Sequence, residues 1–197
     1  MAFWSQATTE PLRQFRWTVI FGANEGAATL DSQIYALKKV DRPKATISEV
    51  THKYLNHEFY YPGRLKWEPI NMTIAAIREG DGDLSGGPGT STALMTTLVS
   101  AGYMIPTSIQ PEQRKTLAKQ KFANGLGSSI FIQNLDPDGV VIEQWKILNP
   151  FFTSVQFGSL DYGSDEIVEV QCTLKYDAAY HTVGAGDAAP AGANPFV

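Results

Sequence analysis

The sequence predicts a mainly β fold: two packed antiparallel sheets, or an open β-barrel, with one main helix and a long projecting β-hairpin. Three observations predict it. Val168, Val170, Cys172, Leu174 and Tyr176 alternate with Glu169, Gln171, Thr173 and Lys175, the period-2 pattern of a half-buried strand. Similar stretches stand at hairpin-like spacing on both sides of a single strong helical segment, residues 90–103, which points to an antiparallel sheet pair with a helix packed on it rather than to βαβ units. The run KYLNHEFYYPGRLKWEPINMTI, residues 53–74, is too long and too aromatic for a simple turn.

Taken in order, residues 1–12 read as a polar N-terminal arm with Phe3 and Trp4 near its tip. Phe15, Trp17, Val19 and Phe21 alternate with Gln14, Arg16 and Thr18 as a strand, and residues 22–26 form a loop. Residues 34–40 form a strand that Arg42-Pro43 interrupts, because proline cannot donate a ladder hydrogen bond. Residues 45–52 lead into the aromatic hairpin. Its two arms, residues 53–61 and 64–74, are expected to meet at Pro62-Gly63, since proline presets φ and glycine accepts φ > 0. Tyr54, Leu55, Phe59, Tyr60, Tyr61, Leu65 and Trp67 then crowd the tip. A monomer gains little from aromatics there, whereas a surface covered by a neighbouring subunit gains much. Tyr54, Leu55, Phe59, Tyr60, Tyr61, Arg64 and Leu65 are therefore the expected inter-subunit contacts, and Trp17, Trp67, Trp145 and Tyr176 the expected core or interface anchors.

Residues 80–89, GDGDLSGGPG, are a surface loop by composition. In the helix that follows, Leu94, Met95, Leu98, Val99 and Gly102 share one face at helical spacing, and Gly102 with Pro106 ends it. Residues 111–122 read as a weaker basic helix or turn, closed by Asn124-Gly125 and Gly127, within an insertion-like segment, 104–127. Residues 129–135 and 140–148 flank Asp136-Pro137-Asp138-Gly139, a hairpin signal, and 151–160 form the next strand. After His181 the composition turns to Gly, Ala and Pro, a flexible tail over 181–197. The β domain is thus expected over residues 13–180.

Chemistry-bearing constellations are thin. The net charge of −4 excludes a strong basic field for nucleic acid. Cys172 stands alone, so there is no disulfide framework and no cysteine zinc site. No apolar run reaches the roughly 20 residues that span a bilayer, and the N-terminus lacks a signal-peptide pattern; cytoplasmic synthesis without a membrane anchor is expected. His52 and His57, five apart, are placed on opposite faces of a strand and fit no zinc spacing. Asp81-Gly-Asp83 lacks the later ligands of a calcium loop, and residues 86–91 lack the lysine of a phosphate loop. No catalytic residue, metal or cofactor is expected. Arg114, Lys115, Lys119 and Lys121 form the one basic cluster, read as a solvated helix face or as an electrostatic contact to a partner such as a sheath.

The order of pieces resembles the tail tube proteins of contractile-tailed bacteriophages. The residues that carry the likeness are the segments FYYPGRLKWEPINMTI (59–74), the helix at 92–103, WKILNPFF (145–152) with VQFGSLDY (155–162), and EIVEVQCTLKY (166–176). No single motif is diagnostic; order and spacing carry it across most of residues 13–180. The resemblance implies a structural virion protein, assembled in the bacterial cytoplasm, whose sixfold rings stack into a hollow tube. It implies a surrounding sheath, baseplate and tail-terminator partners, and a lumen that holds a tape measure protein and passes DNA without binding it specifically. Glu169, on the polar side of its strand, becomes a lumen-lining candidate. A baseplate tube-initiator and the tube subunit of a non-phage contractile injection system share the same fold. A small-molecule-binding barrel or an enzyme is the contrasting class, and it needs a convergent polar pocket.

Overall fold

In the computed structural model, residues 11–22, 36–77, 89–105, 107 and 115–184 are described. The N-terminal arm up to residue 10, most of the 22–26 loop, the start of the strand expected at 34, the glycine-rich loop to residue 88, Pro106, Arg114 and the tail beyond 184 lie outside them.

Among the described residues, ten strands and two helices follow one another as β1 (Trp17–Phe21), β2 (Leu37–Val40), β3 (Ala45–Tyr54), β4 (His57–Trp67), β5 (Ile70–Ala75), α1 (Thr90–Ser100), α2 (Lys119–Leu126), β6 (Ser129–Leu135), β7 (Val141–Leu148), β8 (Phe151–Gln156), β9 (Glu169–Lys175) and β10 (Ala178–Val183). They form two four-stranded sheets, ordered β1-β6-β7-β10 and β2-β5-β9-β8, and a separate β3-β4 ribbon. Every pairing is antiparallel. The fold is the mainly β arrangement that the alternation implies, with no closed barrel among the described residues and with a second helix.

Alternation decides the core. Val19 and Phe21, Ile130 and Ile132, Ile147 and Ala179 face inward from the first sheet. They meet Ile70, Met72 and Ile74, Val170, Cys172 and Leu174, and Phe152 from the second. Each fully buried Ile or Leu contributes about 1.5–3 kcal/mol of transfer free energy. Cys172 is 1% exposed, and burial pushes its thiol up to about 12, so it is an inert core residue.

The helices join this core through Ala93, Leu94, Phe122 and Leu126, with two departures from expectation. In α1 the buried face is Thr90, Ala93, Leu94 and Thr97, while Met95 and Val99 are exposed. Threonines can be buried here because their hydroxyls are satisfied by backbone. The Thr90 hydroxyl donates to the Ala75 carbonyl and accepts the Ile77 N–H, both at 3.1 Å, and that of Thr97 donates to the Ala93 carbonyl at 2.9 Å. The helix stops at Ser100 because the chain turns in a Schellman motif, with Tyr103 N–H on the Leu98 carbonyl and Gly102 N–H on that of Val99. The second departure is α2, which runs from Lys119 to Leu126; of the helix or turn expected over 111–122, residues 111–114 lie outside the described residues. Residues 115–118 precede it without regular structure, and Ala118 N–H is held by the Ala101 carbonyl at 3.0 Å.

β10 carries the first sheet to Val183, three residues into the segment read as tail. Its sequence AAYHTV lacks the alternation that marks β9, and pairing with β7, Ala179 opposite Ile147, supplies the order instead.

Gly127 ends α2 at φ 80°, and a Cβ there would stand 2.1 Å from the Gly22 Cα. Gly127→Ala is expected to destabilise by about 2 kcal/mol or more, combining the left-handed strain with a backbone clash. Urea denaturation followed by tryptophan fluorescence checks this.

Candidate assembly surface

The aromatic ribbon is built from β3 and β4, and its turn is not where the sequence pointed. Tyr54 pairs with His57, leaving Leu55-Asn56 as a two-residue turn, while Pro62 and Gly63 lie inside β4. Leu55 bears the positive φ, 53°. Proline is tolerated in β4 because a two-stranded ribbon has a free edge on each side. Gly63 and Arg64 together oppose Ser48 as a bulge, between the pairs Ile47–Leu65 and Glu49–Pro62. The Arg64 N–H donates to Ser48 Oγ at 2.9 Å. A Cβ at Gly63 would lie 2.3 Å from that same oxygen, so glycine is needed for the close approach. The Pro-Gly pair therefore makes a bulge and not a turn.

Beyond the bulge the register sorts the side chains. Opposed residues share a face and successive residues alternate. Val50 with Tyr61, His52 with Phe59, and Tyr54 with His57 form one face; Glu49 with Pro62, Thr51 with Tyr60, and Lys53 with Glu58 form the other. The first face is aromatic, and His57 stands edge-on to Phe59 with centroids 4.7 Å apart. The second is polar: Lys53 pairs with Glu58 at 2.8 Å, and the Tyr60 hydroxyl donates to Glu58 at 3.2 Å. His52 and His57 thus share a face, contrary to a single-strand reading, because a hairpin folds them onto one side. Tyr54, Leu55, Phe59, Tyr60, Tyr61 and Leu65 are all exposed, Leu55 at 88%. Every residue of β3 and β4 except Trp67 is exposed.

The ribbon's root is anchored. Trp67 is half-buried against Tyr176, with centroids 5.9 Å apart. The Glu68 N–H donates to the Lys44 carbonyl at 2.8 Å, and Thr46 Oγ1 to the Glu68 carboxylate at 3.1 Å. Arg42 pairs at 2.9 Å with Glu143 on β7, which also accepts from Asn134 at 2.8 Å and lies 3.3 Å from His181. Trp145 packs on His181 at 4.9 Å, and Trp17 borders the core. The Tyr176 side chain is buried and its hydroxyl makes no hydrogen bond of good geometry. Burial pushes the phenol up to about 12; the Lys44 backbone opposes that rise and the Glu68 carboxylate adds to it.

The outer face of the second sheet is polar, as alternation in β9 implied. Glu169 lies on it, paired with Lys38 at 2.5 Å. Thr173 donates to Asn71 at 3.1 Å, and Asn71 to Asp41 at 3.0 Å. Where β8 leaves for β9, residues 157–168 form a long loop flanking an open groove of about 1120 Å³. Its Leu160 and Ile167 are 87% and 64% exposed, and Tyr162 is fully exposed. The sequence predicts one strand over 151–160, whereas β8 ends at Gln156; Gly158 and Gly163 are the local signal for the loop.

The basic cluster does not form one helical face. Lys115 is exposed before α2, and Lys119 opens α2, where it pairs with Asp177 and lies 5.7 Å over the Phe151 ring. Asn149 Nδ2 also donates to Asp177, at 3.0 Å. The hydrogen bond from Lys119, opposed by partial burial and aided by Asn149 and the lysine charge, lowers the Asp177 carboxyl below its usual value. Among the described residues, no group of three or more His, Cys, Asp or Glu is placed to hold a metal, and no helix is long and apolar enough to cross a membrane.

No family model matches the chain, and no curated protein matches it. Solved structures do match. A chain of the sheath/tube terminator of an extracellular contractile injection system, PVC, in its extended state is 17% identical with a TM-score of 0.59, over 90% of this chain and 100% of that one. The tube-terminating cap of the anti-feeding prophage, AFP, is 18% identical with a TM-score of 0.57, over 93% and 99%. A chain of the PVC sheath–tube complex in its extended state is 16% identical with a TM-score of 0.58, over 93% and 99%. This protein has the fold of contractile-injection components. At these identities the likeness is one of fold, extending over nearly the whole of both chains.

Two measurements probe the anchor and the clamp. Tyr176→Phe removes a buried hydroxyl whose nearest polar neighbour is the Lys44 backbone, in poor hydrogen-bond geometry, and is expected to change stability by no more than about 1 kcal/mol, read from urea midpoints. Because the folded state lowers the Asp177 pKa, its contribution is present above the ordinary aspartate value of about 3.9 and is lost as pH falls through the lower folded value. Asp177→Asn should therefore flatten the fall in melting temperature between pH 5 and pH 2, as thermal scans across that range would show.

Proposed function

We propose that this chain is a structural subunit of the inner tube of a contractile tail-type particle, packing as sixfold rings that stack within a sheath. The observation that carries the reading is the β3–β4 arm. It presents an aromatic face that is exposed along its length, on a ribbon whose root is anchored to both sheets. Isolated two-stranded ribbons are marginal in water, and a contiguous exposed apolar face marks an interaction site. The fold shared with parts of an extracellular contractile injection system, including its sheath–tube complex, and with the tube-terminating cap of the anti-feeding prophage supports the same reading.

Within it, the arm residues Tyr54, Leu55, Phe59, Tyr60, Tyr61, Arg64 and Leu65 contact neighbouring subunits, and the sheath, a baseplate and a terminator are the partner proteins. The specific form implied by the sequence resemblance is a phage tail tube in a virion, with a tape measure protein and DNA in the lumen and Glu169 lining it. The fold matches favour a second form, the tube of an injection particle outside phages. Lys115 and Arg114 remain the sheath-contact candidates; Lys119 is engaged by Asp177 on its own chain.

Purified protein viewed by negative-stain electron microscopy over a concentration series is expected to show sixfold rings and hollow tubes. Phe59→Ser with Tyr61→Ser should keep the circular dichroism of the wild type and abolish long tubes. Unaltered tubes from that variant would sink the assembly role of the arm.

A further inference from the structure

One end of the first sheet carries an exposed apolar rim. Trp17, Asn134, Glu143 and Val183 stand in one row across its four strands. Just past that row the Leu135 N–H donates to the Arg16 carbonyl at 3.0 Å, and the Gly184 N–H donates to the Ile142 carbonyl at 2.7 Å. Phe15, Val140, Ile142 and Val183 therefore gather within a width of about 15 Å, the span of four neighbouring strands. All four are exposed, Val183 at 84%. The polar groups beside them are engaged within the chain. Glu143 holds Arg42 and Asn134, and the Asp136 carboxylate accepts the N–H groups of Asp138 and Val140. What this end offers a ligand is apolar surface.

The chain leaves the sheet at this same end. β10 stops at Val183, Gly184 takes φ 76°, and residues 185–197 read AGDAAPAGANPFV. Residues 185–195 are Gly, Ala and Pro with one Asp and one Asn, by composition a tether with too little apolar surface to pack on itself. Phe196 and Val197 are the only large apolar residues in the segment. We propose that Phe196 and Val197 dock on the rim of Phe15, Val140, Ile142 and Val183 of their own copy. Three facts select that occupant. The tether starts at the rim, because Gly184 is bonded to Ile142. A tether of eleven such residues has a root-mean-square span of about 18 Å, close to the width of the rim, and a matched span gives an intramolecular contact its highest effective concentration. The apolar pair at its far end is the chemistry that an uncharged apolar rim takes. The contact is small and so reversible, and any partner that uses this end of the sheet must first displace it.

The test places one reactive thiol in the rim, Val140→Cys, and follows its modification by a bulky maleimide in the dispersed full-length chain. Cys172, buried, stays silent. Val140 is exposed, so the variant should keep the wild-type circular dichroism. Adding Phe196→Ser with Val197→Ser should speed the modification about tenfold, the equilibrium factor that half-burying one phenylalanine supplies. A thiol at a second exposed position, Leu160→Cys in the loop before β9, should react at the same rate with either tail. Equal rates for Val140→Cys with either tail overturn the proposal, and so does an equal acceleration of Leu160→Cys. The difference between the two tails should persist on dilution. A difference that vanishes on dilution puts the tail on a second copy. Protection that Phe3→Ser with Trp4→Ser removes, and the tail substitutions do not, assigns the rim to the N-terminal arm. Either result overturns the contact of the tail with its own copy.

Discussion

The pairing of β5 with β9 is the constraint on which the rest of the molecule hangs. Ile70, Met72 and Ile74 face the core opposite Leu174, Cys172 and Val170, and Asn71 and Thr73 face away opposite Thr173 and Gln171. Side-chain direction has period 2, so a slip of one residue would turn three buried apolar residues on each strand into water and draw amides inward. That cost holds the register. The register in turn fixes which face of the second sheet is polar, where the arm departs and where the groove opens.

The arm illustrates how a local defect serves a long-range purpose. The bulge at Ser48, Gly63 and Arg64 resets the alternation, so the residues beyond it sort into an aromatic face and a charged one. Leu55 is held at φ 53°, a conformation that disfavours a bulky residue by about 1–2 kcal/mol. A folded monomer gains nothing from that leucine, 88% exposed, at the tip. Strain and exposed aromatics together fit a segment whose contacts are completed by another molecule.

The root is where the arm's leverage is resisted. The Trp67–Tyr176 contact ties it to the second sheet, and the Arg42–Glu143 pair ties it to the first. Glu143 is the shared acceptor for Arg42, Asn134 and His181, so β6, β7, β10 and the entry to the arm meet at one carboxylate. Partly buried, hydrogen-bonded pairs of this kind hold geometry better than exposed ion pairs do. A ribbon about 35 Å long needs such an anchor if its tip is to meet a neighbour in a defined place.

The sequence by itself determined the alternating strands, the Asp136–Gly139 hairpin, the helix before Gly102 and the aromatic character of residues 54–65, because each depends on local period or local backbone preference. Tertiary structure decided the rest. Pro62-Gly63 carries the local signature of a turn, but cross-strand register placed it in a bulge and gave the turn to Leu55-Asn56, which has neither residue. Met95 and Val99 look like core by spacing, yet threonines with backbone-satisfied hydroxyls took the buried face of α1. His52 and His57 are on opposite faces of a strand and on the same face of a hairpin. β10 has no pattern of its own and is ordered by β7. In each case the deciding term was a partner distant in sequence, and a one-dimensional pattern carries no information about which partner that is.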